Sequence, residues 1–347
     1  MSPKPDHRHG DGEQGGTTMH TLGRRAALGG IAAGLAAPAL APALAQAPAW
    51  PTGPIRIVVP FPPGGSTDAV TRLAAPGLQA ALGVPIVIEN RGGAAGSIGT
   101  GIVARAEPDG NTWLLTFDSH AVLEALLPQL NFSPSRDLVP VMHIGGAPYV
   151  LGTRPDKPFK TIGDVVAAAK ASPESVSFGS TGNGTVGHLA MTLFGQRAGA
   201  RLTHIAYRGG GPAVTDAVAG NVDLIIGSAA VLNPQFTGGR LRPVVQMGTE
   251  RLPGLADTPT MQQSGFDGFV AEAWWAVFAP ARTPGPIIAR FHEALVKAFS
   301  DPKVVETMTT AQQARLVRAS PEETARFIAS EVETWGKVVR DNAIKPD

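Results

Sequence analysis

The chain has 347 residues, 43% hydrophobic and 16% charged, with 42 Gly and 31 Pro scattered without a period; that length suits two domains with buried cores and excludes collagen-like or disordered architectures. The absence of cysteine excludes disulfides, thiolate nucleophiles, Cys-ligated zinc and iron–sulfur clusters. A formal charge of +1 with 6% aromatic residues provides no basic stripe for nucleic acid.

Residues 1–23 are polar. Gly23-Arg24-Arg25-Ala26-Ala27-Leu28 then opens an Ala/Gly/Leu run to Ala41, and Ala43-Leu44-Ala45 closes it. A basic segment, an apolar run and an A-x-A site make an export signal. The run is too short and too rich in Ala, Gly and Pro for a span of about 20 apolar residues. Cleavage is expected after Ala45, because the alternative after Ala47 places Pro48 just past the cut. The paired arginines and weak hydrophobicity suggest the twin-arginine route, while Ala26-Ala27-Leu28 leaves the general secretory route open. Both end in the periplasm. Removing residues 1–45 takes Lys+Arg from 29 to 25 and Asp+Glu from 28 to 25, leaving a neutral chain. With no cysteine to carry a lipid, a soluble protein is expected.

The β-branched run 55–60 predicts a strand, broken by Pro62-Pro63-Gly64-Gly65. Ser66-Thr67-Asp68 supplies capping chemistry for a helix over 67–82, with Val70, Leu73, Ala74 and Leu78 on one face. Gly83 ends it, and 86–88 is a second strand, completing a βαβ unit. A helix over 96–106 and a strand over 113–117 follow. Residues 139–151 form a longer apolar stretch interrupted by Gly145-Gly146. Helices are expected over 162–170, 185–198 and 209–220, alternating with strands at 176–179, 202–207, 224–226 and 242–247. A strand at 273–279 precedes an all-helical tail: 285–299, 302–311 and 321–339, each opened by Pro or by Ser/Asp. The pattern predicts an α/β protein of two doubly wound lobes with a ligand cleft between them. The first lobe comprises 48–147 and a return over 273–347, and the second is 148–272.

Three Gly-rich loops each follow a strand and open a helix: Phe61 to Asp68, Gly179 to Thr185, and Arg208 to Pro212. Open α/β sheets bind ligands at the carboxyl ends of their strands. A helix N-terminus presents unpaired N–H groups to an anion. The first two loops carry Ser66, Thr67, Ser180, Thr181, Asn183 and Thr185, neutral groups suited to gripping a carboxylate; alternatively these residues only cap their helices. Gly182-Asn183-Gly184-Thr185-Val186-Gly187 matches G-x-G-x-x-G, but no acidic residue follows about 20 positions on, where Arg201-Leu202-Thr203-His204 stands, so dinucleotide binding is rejected. Phosphate-loop, zinc-protease and hydrolase-elbow motifs are absent, and no cofactor is expected. His120, His143, His188, His204 and His292 show no metal-ligand spacing, so no metal is expected. His188 sits in a first helical turn, either reaching a ligand or bracketing the loop, and His204 reads as structural. Asp223 reads as fixing a turn or cleft edge, and Glu89-Asn90-Arg91 as a salt-bridged turn. Trp274 and Trp275 should point to opposite faces of their strand.

These stretches jointly resemble the periplasmic receptors of tripartite tricarboxylate transporters, the Bug proteins. The resemblance rests on residues 60–68 (PFPPGGSTD), 89–99 (ENRGGAAGSIG), 106–110 (AEPDG), 177–185 (SFGSTGNGT) with His188-Leu189, 204–209 (HIAYRG) with Asp216 and Gly220-Asn221-Val222-Asp223, and Trp335-Gly336-Lys337-Val338-Val339. It covers essentially all of the chain after residue 50. It implies a Venus-flytrap fold and a ligand carboxylate held by Gly65, Ser66, Thr67, Ser180, Asn183, Gly184 and Thr185. Together with Phe61, Gly64, Asp68, Thr181, His188 and Tyr207 these are the expected ligand-binding residues. The chain departs from the family pattern at Ile226-Gly227-Ser228-Ala229-Ala230, where members carry an acidic residue; this disfavours an amino-acid ligand unless Asp118 supplies the charge.

The expected function is therefore capture of a small carboxylate, as a monomer, for membrane permease subunits, without catalysis. A sensory receptor handing the same ligand to a membrane kinase fits the sequence too. A hydrolase using Ser66 or Ser180 with His188 has no orienting acid in view.

Overall fold

The computed structural model describes residues 50–345, so the export signal and its cleavage site lie outside the described residues. The chain alternates strands and helices: β1 (Ile55–Val59), α1 (Ser66–Leu82), β2 (Ile86–Asn90), α2 (Ser97–Ala104), β3 (Thr112–Phe117), α3 (Leu123–Leu126), α4 (Pro134–Asp137) and β4 (Leu138–Thr153). Next come α5 (Ile162–Ala171), β5 (Ser177–Ser180), α6 (Val186–Ala198), β6 (Thr203–Ala206), α7 (Gly210–Ala219), β7 (Leu224–Ser228), α8 (Ala229–Thr237) and β8 (Arg242–Gln246). The last are β9 (Glu272–Pro280), α9 (Gly285–Ala298), α10 (Pro302–Thr310), β10 (Arg315–Leu316) and α11 (Pro321–Asp341).

The strands form one curled sheet in the order β2-β1-β3-β9-β4-β7-β5-β6, with β8 and β10 also paired to β4. β1, β2 and β3 are parallel, as are β5, β6 and β7, while β9 and β4 join the two sets by antiparallel pairing. The apolar stretch 139–151 is thus part of a single long strand. Gly145-Gly146 does not break it; the register with β9 shifts between His143 and Gly145. Glycine is required there because a Cβ on Gly145 would stand 2.2 Å from the Arg315 carbonyl oxygen.

Register fixes the direction of the two parallel sets. Phe117, at the end of β3, pairs with Trp275, which pairs with Gly145; Ser228, at the end of β7, pairs with Tyr149. The carboxyl ends of both sets therefore approach each other along β4, from opposite directions, four residues apart. At about 3.3 Å per residue the interval is roughly 13 Å.

Three apolar clusters hold this arrangement. One packs α1 and α9 on the sheet around Trp113, which stacks on Phe291 at 3.8 Å. A second surrounds α6 and includes Tyr149, Leu189, Phe194 and, from α11, Trp335 and Val339. A third contains Trp274, Phe278 and Ile328. Trp274 and Trp275 fall in different clusters, as strand alternation requires, and both rings are buried.

Several helices carry their own side-chain caps: Thr161 with Asp164 on α5, Thr185 on α6, Asp301 on α10, and Ser320 with Glu323 on α11. At the strand ends, α1, α7 and α8 begin after Gly65, Gly209 and Ser228 with no side-chain cap. The expectation that Ser66-Thr67-Asp68 caps its helix is thus corrected. Gly65 is the N-cap, and the Asp68 carboxylate turns back to the Gly64 amide instead. Helix α8 was not expected, because Pro234 lies inside it and its apolar pattern is weak.

Candidate functional site

The loop after β1 is held from below. Asp68 is buried, and its carboxylate accepts hydrogen bonds from Gly64 N (2.9 Å), Arg72 Nε (2.9 Å) and Asn90 Nδ2 (3.1 Å). Burial alone would push this carboxyl up, but the bonds from Arg72, Gly64 and Asn90 outweigh it and hold Asp68 below the usual carboxylate range. Asn90 also donates to the Phe61 carbonyl at 3.1 Å. Two groups from neighbouring elements thus pin both ends of the Pro-Pro-Gly-Gly turn, leaving Gly64 and Gly65 exposed and Ser66 half-buried at the start of α1. The Phe61 ring sits edge-on to Phe117 at 6.3 Å. Thr67 is buried in the first turn.

The loop after β5 is built differently. Ser180 is fully buried; its hydroxyl donates to the Gly182 carbonyl (3.0 Å), accepts from the Gly182 amide (3.3 Å) and lies 2.7 Å from His204 Nε2. Thr185 caps α6, accepting from His188 N (3.5 Å) and donating to the Gly182 carbonyl (2.8 Å). His188 accepts from the Gly184 amide through Nδ1 at 3.0 Å, and its ring stacks on His204 at 3.8 Å. Burial, then the neighbouring His204, depresses His188 to about 3, so it is a neutral acceptor. Asn183 donates to the Lys345 carbonyl at 2.6 Å. Thr181 receives the Gly209 amide on its carbonyl at 3.1 Å, tying this loop to the start of α7. Tyr207 donates its hydroxyl to Asp216 at 2.8 Å, and burial with Asp216 pushes the phenol up to about 12.

The structure thus brings the expected residues into two groups at the converging strand ends. Phe61, Gly64, Gly65, Ser66, Thr67 and Asp68 surround the start of α1. Ser180, Thr181, Asn183, Gly184, Thr185, His188 and Tyr207 surround the starts of α6 and α7. Asp223 lies elsewhere: it joins Lys157 (2.6 Å) and Ser177 (2.9 Å) at the amino ends of β5 and β7. Glu89 pairs with Arg56 and Arg91 beside β2. Sequence reasoning overlooked Tyr149, whose hydroxyl donates to Asp118 Oδ2 at 2.7 Å across the interval between the two strand sets. Asp118 directly follows β3, and that position was the available signal. Among the described residues no group of His, Cys, Asp and Glu is arranged to hold a metal, and no helix is long and apolar enough to cross a membrane. Cavities of about 700 Å³, beside Glu272 and Arg315, and about 770 Å³, between Leu126 and Val339, lie outside both groups.

A curled α/β sheet whose strand ends meet along one crossing strand is the architecture of a periplasmic binding protein. The chain belongs to the TctC family, described as the tripartite tricarboxylate transporter family receptor, whose model matches residues 70–344. It is 38% identical to protein BugT of Bordetella pertussis over 302 residues, 86% of this chain and 92% of BugT. Among solved structures it is similar to MatC from Rhodopseudomonas palustris with bound malate, at 31% identity and TM-score 0.75, covering 83% of this chain and 99% of that one. It is also similar to an R. palustris protein with adipate, at 29% identity and TM-score 0.78, covering 86% of this chain and 100% of that one. The protein is a Bug-type solute-binding receptor of a tripartite transporter.

Proposed function

We propose that this receptor works in the periplasm, closing two lobes on a small dicarboxylate and delivering it to membrane permease subunits. The lobes are 48–147 with 273–347, and 148–272, meeting along β4 and β9. The observation that carries the reading is the approach of two sets of strand ends within roughly 13 Å, with the α1, α7 and α8 starts lacking side-chain caps. Unpaired N–H groups and a positive dipole end favour a carboxylate. The ligands of the two R. palustris proteins, malate and adipate, make a dicarboxylate the first choice.

In this reading Gly64, Gly65, Ser66 and Thr67 grip one carboxylate, and Phe61 lines the pocket. Thr181, Asn183, Gly184 and Thr185 meet the ligand from the second lobe. Asp68, Ser180, His188 and Tyr207 hold the loops through the bonds described above. Ser180 is fully buried and already engaged with Gly182, which supports a loop-forming role over a nucleophilic one. The export signal, by the twin-arginine or the general secretory route and cut after Ala45, releases a monomer.

The test is a thermal-shift screen of residues 46–347 against mono-, di- and tricarboxylates, aromatic acids and amino acids. A ligand at 100 times its Kd adds about 2.7 kcal/mol. One dicarboxylate hit supports the reading. A flat panel, repeated on protein refolded free of any co-purified ligand, removes it.

A further inference from the structure

Asp118 stands at one edge of the interval between the two strand sets and is met by Tyr149 from the other. It follows Phe117, the last residue of β3, whose ring meets Phe61 of the first loop. Its neighbour Ser119 donates to the Ala95 carbonyl, in the loop after β2, at 3.5 Å. On the opposite side Tyr149 donates to Asp118 Oδ2, and its ring packs against Gly187, in the first turn of α6, where a Cβ would stand 2.9 Å from Tyr149 Cε1. Tyr149 therefore links the start of the second ligand loop's helix to Asp118. The other carboxyl oxygen, Oδ1, is buried and has no hydrogen-bond partner. The indole N–H of Trp275, the strand partner of Phe117, is also buried without one. Buried polar atoms are almost always paired, so the unpaired Oδ1 of Asp118, where strand ends converge, marks a place made for a polar guest.

We propose that Asp118 is a ligand-contacting residue of this receptor, offering Oδ1 to a ligand carboxylate through one shared proton. This rests on the carboxylate-receptor reading and deepens it. The charges around Asp118 support it. Glu331 on α11 faces it and carries the hydrogen bonds of Trp274 (2.8 Å) and Trp335 (3.1 Å). Glu272 on β9 acts in turn on Glu331. Tyr149 on β4 is neutral, its phenol held well above its ordinary range by burial and by Asp118. On its own segment, His120 is depressed to about 4 by burial and is neutral, and Glu124 is engaged by Ser133 and Ser135. No cation is among these groups. Burial, reinforced by Glu331 against the bond from Tyr149 and the adjacent Ser119 amide, pushes Asp118 up to about 8. At neutral pH it is a neutral acid. Tyr149 fills Oδ2 as a donor, so the proton resides on Oδ1, the free oxygen. A neutral acid donating to a carboxylate makes a charge-assisted bond without burying a second positive group.

The experiment measures Kd by calorimetry from pH 6 to pH 9, for wild type and Asp118→Asn. The probe is the tightest binder among succinate, malate, adipate, citrate and benzoate. Above about pH 8 the wild-type affinity should fall, approaching tenfold per unit as Asp118 ionises against the ligand. Asp118→Asn keeps a donor at this place without a titrating proton. It should bind within about threefold of wild type at pH 6 and show no fall at high pH, while Asp118→Ala loses roughly tenfold or more. Tyr149→Phe removes the donor that favours ionised Asp118, so it should move the fall to higher pH, which keeps the test open if Asp118→Asn does not fold. A wild-type slope retained in Asp118→Asn overturns the proposal and leaves the receptor reading intact. Equal losses in Asn and Ala also overturn it, since Oδ1 then accepts from a ligand ammonium or from internal water only. Failure of wild type to bind any of the five acids removes the receptor reading and the proposal together.

Discussion

Replacing Asp68 with alanine tests how the first loop is held. The side chain is only 5% exposed, and its carboxylate satisfies Gly64 N, Asn90 Nδ2 and Arg72 Nε. Arg72 is 55% exposed, so solvent screens its part and we assign it little. The Gly64 and Asn90 bonds go to an ionised acceptor, where a net 1.5–3 kcal/mol each is typical. They share one group and are not additive, so the expected loss is about 2–4 kcal/mol. For a chain of this size that lowers Tm by roughly 4–8 °C. Ligand affinity should fall with it, because Gly64 and Gly65 lose their anchor. The acid dependence has a fixed sign. Asp68 titrates below its ordinary 3.8 in the folded protein, so its contribution is complete above that value and is lost as pH falls through the folded one. Melts followed by circular dichroism at pH 7 and stepwise below 3.8 should therefore show the gap between wild type and Asp68→Ala narrowing only in that lower range. A Tm at pH 7 within about 1 °C of wild type would refute the anchoring argument.

Gly184→Ala should cost about 1–3 kcal/mol in urea unfolding, because φ is +71° and the new Cβ would stand 2.5 Å from Leu126 Cδ2. Gly199→Ala shares a positive φ, but its nearest neighbour is 4.0 Å away, so it should cost only about 1 kcal/mol; equal losses in the two variants would dismiss the steric reading. His120 is depressed to about 4 by burial, so between its unfolded value of 6.5 and about 4 the unfolded chain takes a proton that the folded one refuses. His120→Phe should therefore lessen the loss of stability on going from pH 7 to pH 5, and an unchanged difference between those two unfolding free energies would count against it. Ser66→Ala and Thr67→Ala should each weaken dicarboxylate binding about tenfold with little change in the ligand-free Tm; full affinity in both would move the carboxylate away from α1.

The alternation of strands and helices was legible because each element carries its own period and its own punctuation. β1 reads as a β-branched run, α1 as an apolar stripe ended by Gly83, and α11 as a helical pattern opened by Pro or by Ser/Asp. The misreadings have local causes. Helix α8 hides behind Pro234. The Gly145-Gly146 pair looked like an interruption, although it is where β10 presses against β4. Of the candidate site, the loop residues were legible because Gly-rich turns with hydroxyls before a helix have a chemical signature. Their partners were not. Tyr207 with Asp216 and Asn90 with Asp68 depend on how separate elements settle against each other. Asn183 meets Lys345 across 162 residues, and no local pattern carries such information.

The sequence by itself determined most element types, the family, and which Gly-rich loops with hydroxyl groups open helices after strands. The elements and loops follow from short-range periodicity and turn chemistry, and the family from motifs that stand contiguous in the chain. Only the tertiary structure decided that the two strand sets run toward each other along β4, that Asp68 is filled from three sides, and that Asp118 is buried with one oxygen held by Tyr149 and the other free. Burial and hydrogen-bond satisfaction are properties of contacts between distant segments. The protonation of an acid such as Asp118 therefore became readable only when its neighbours were in place.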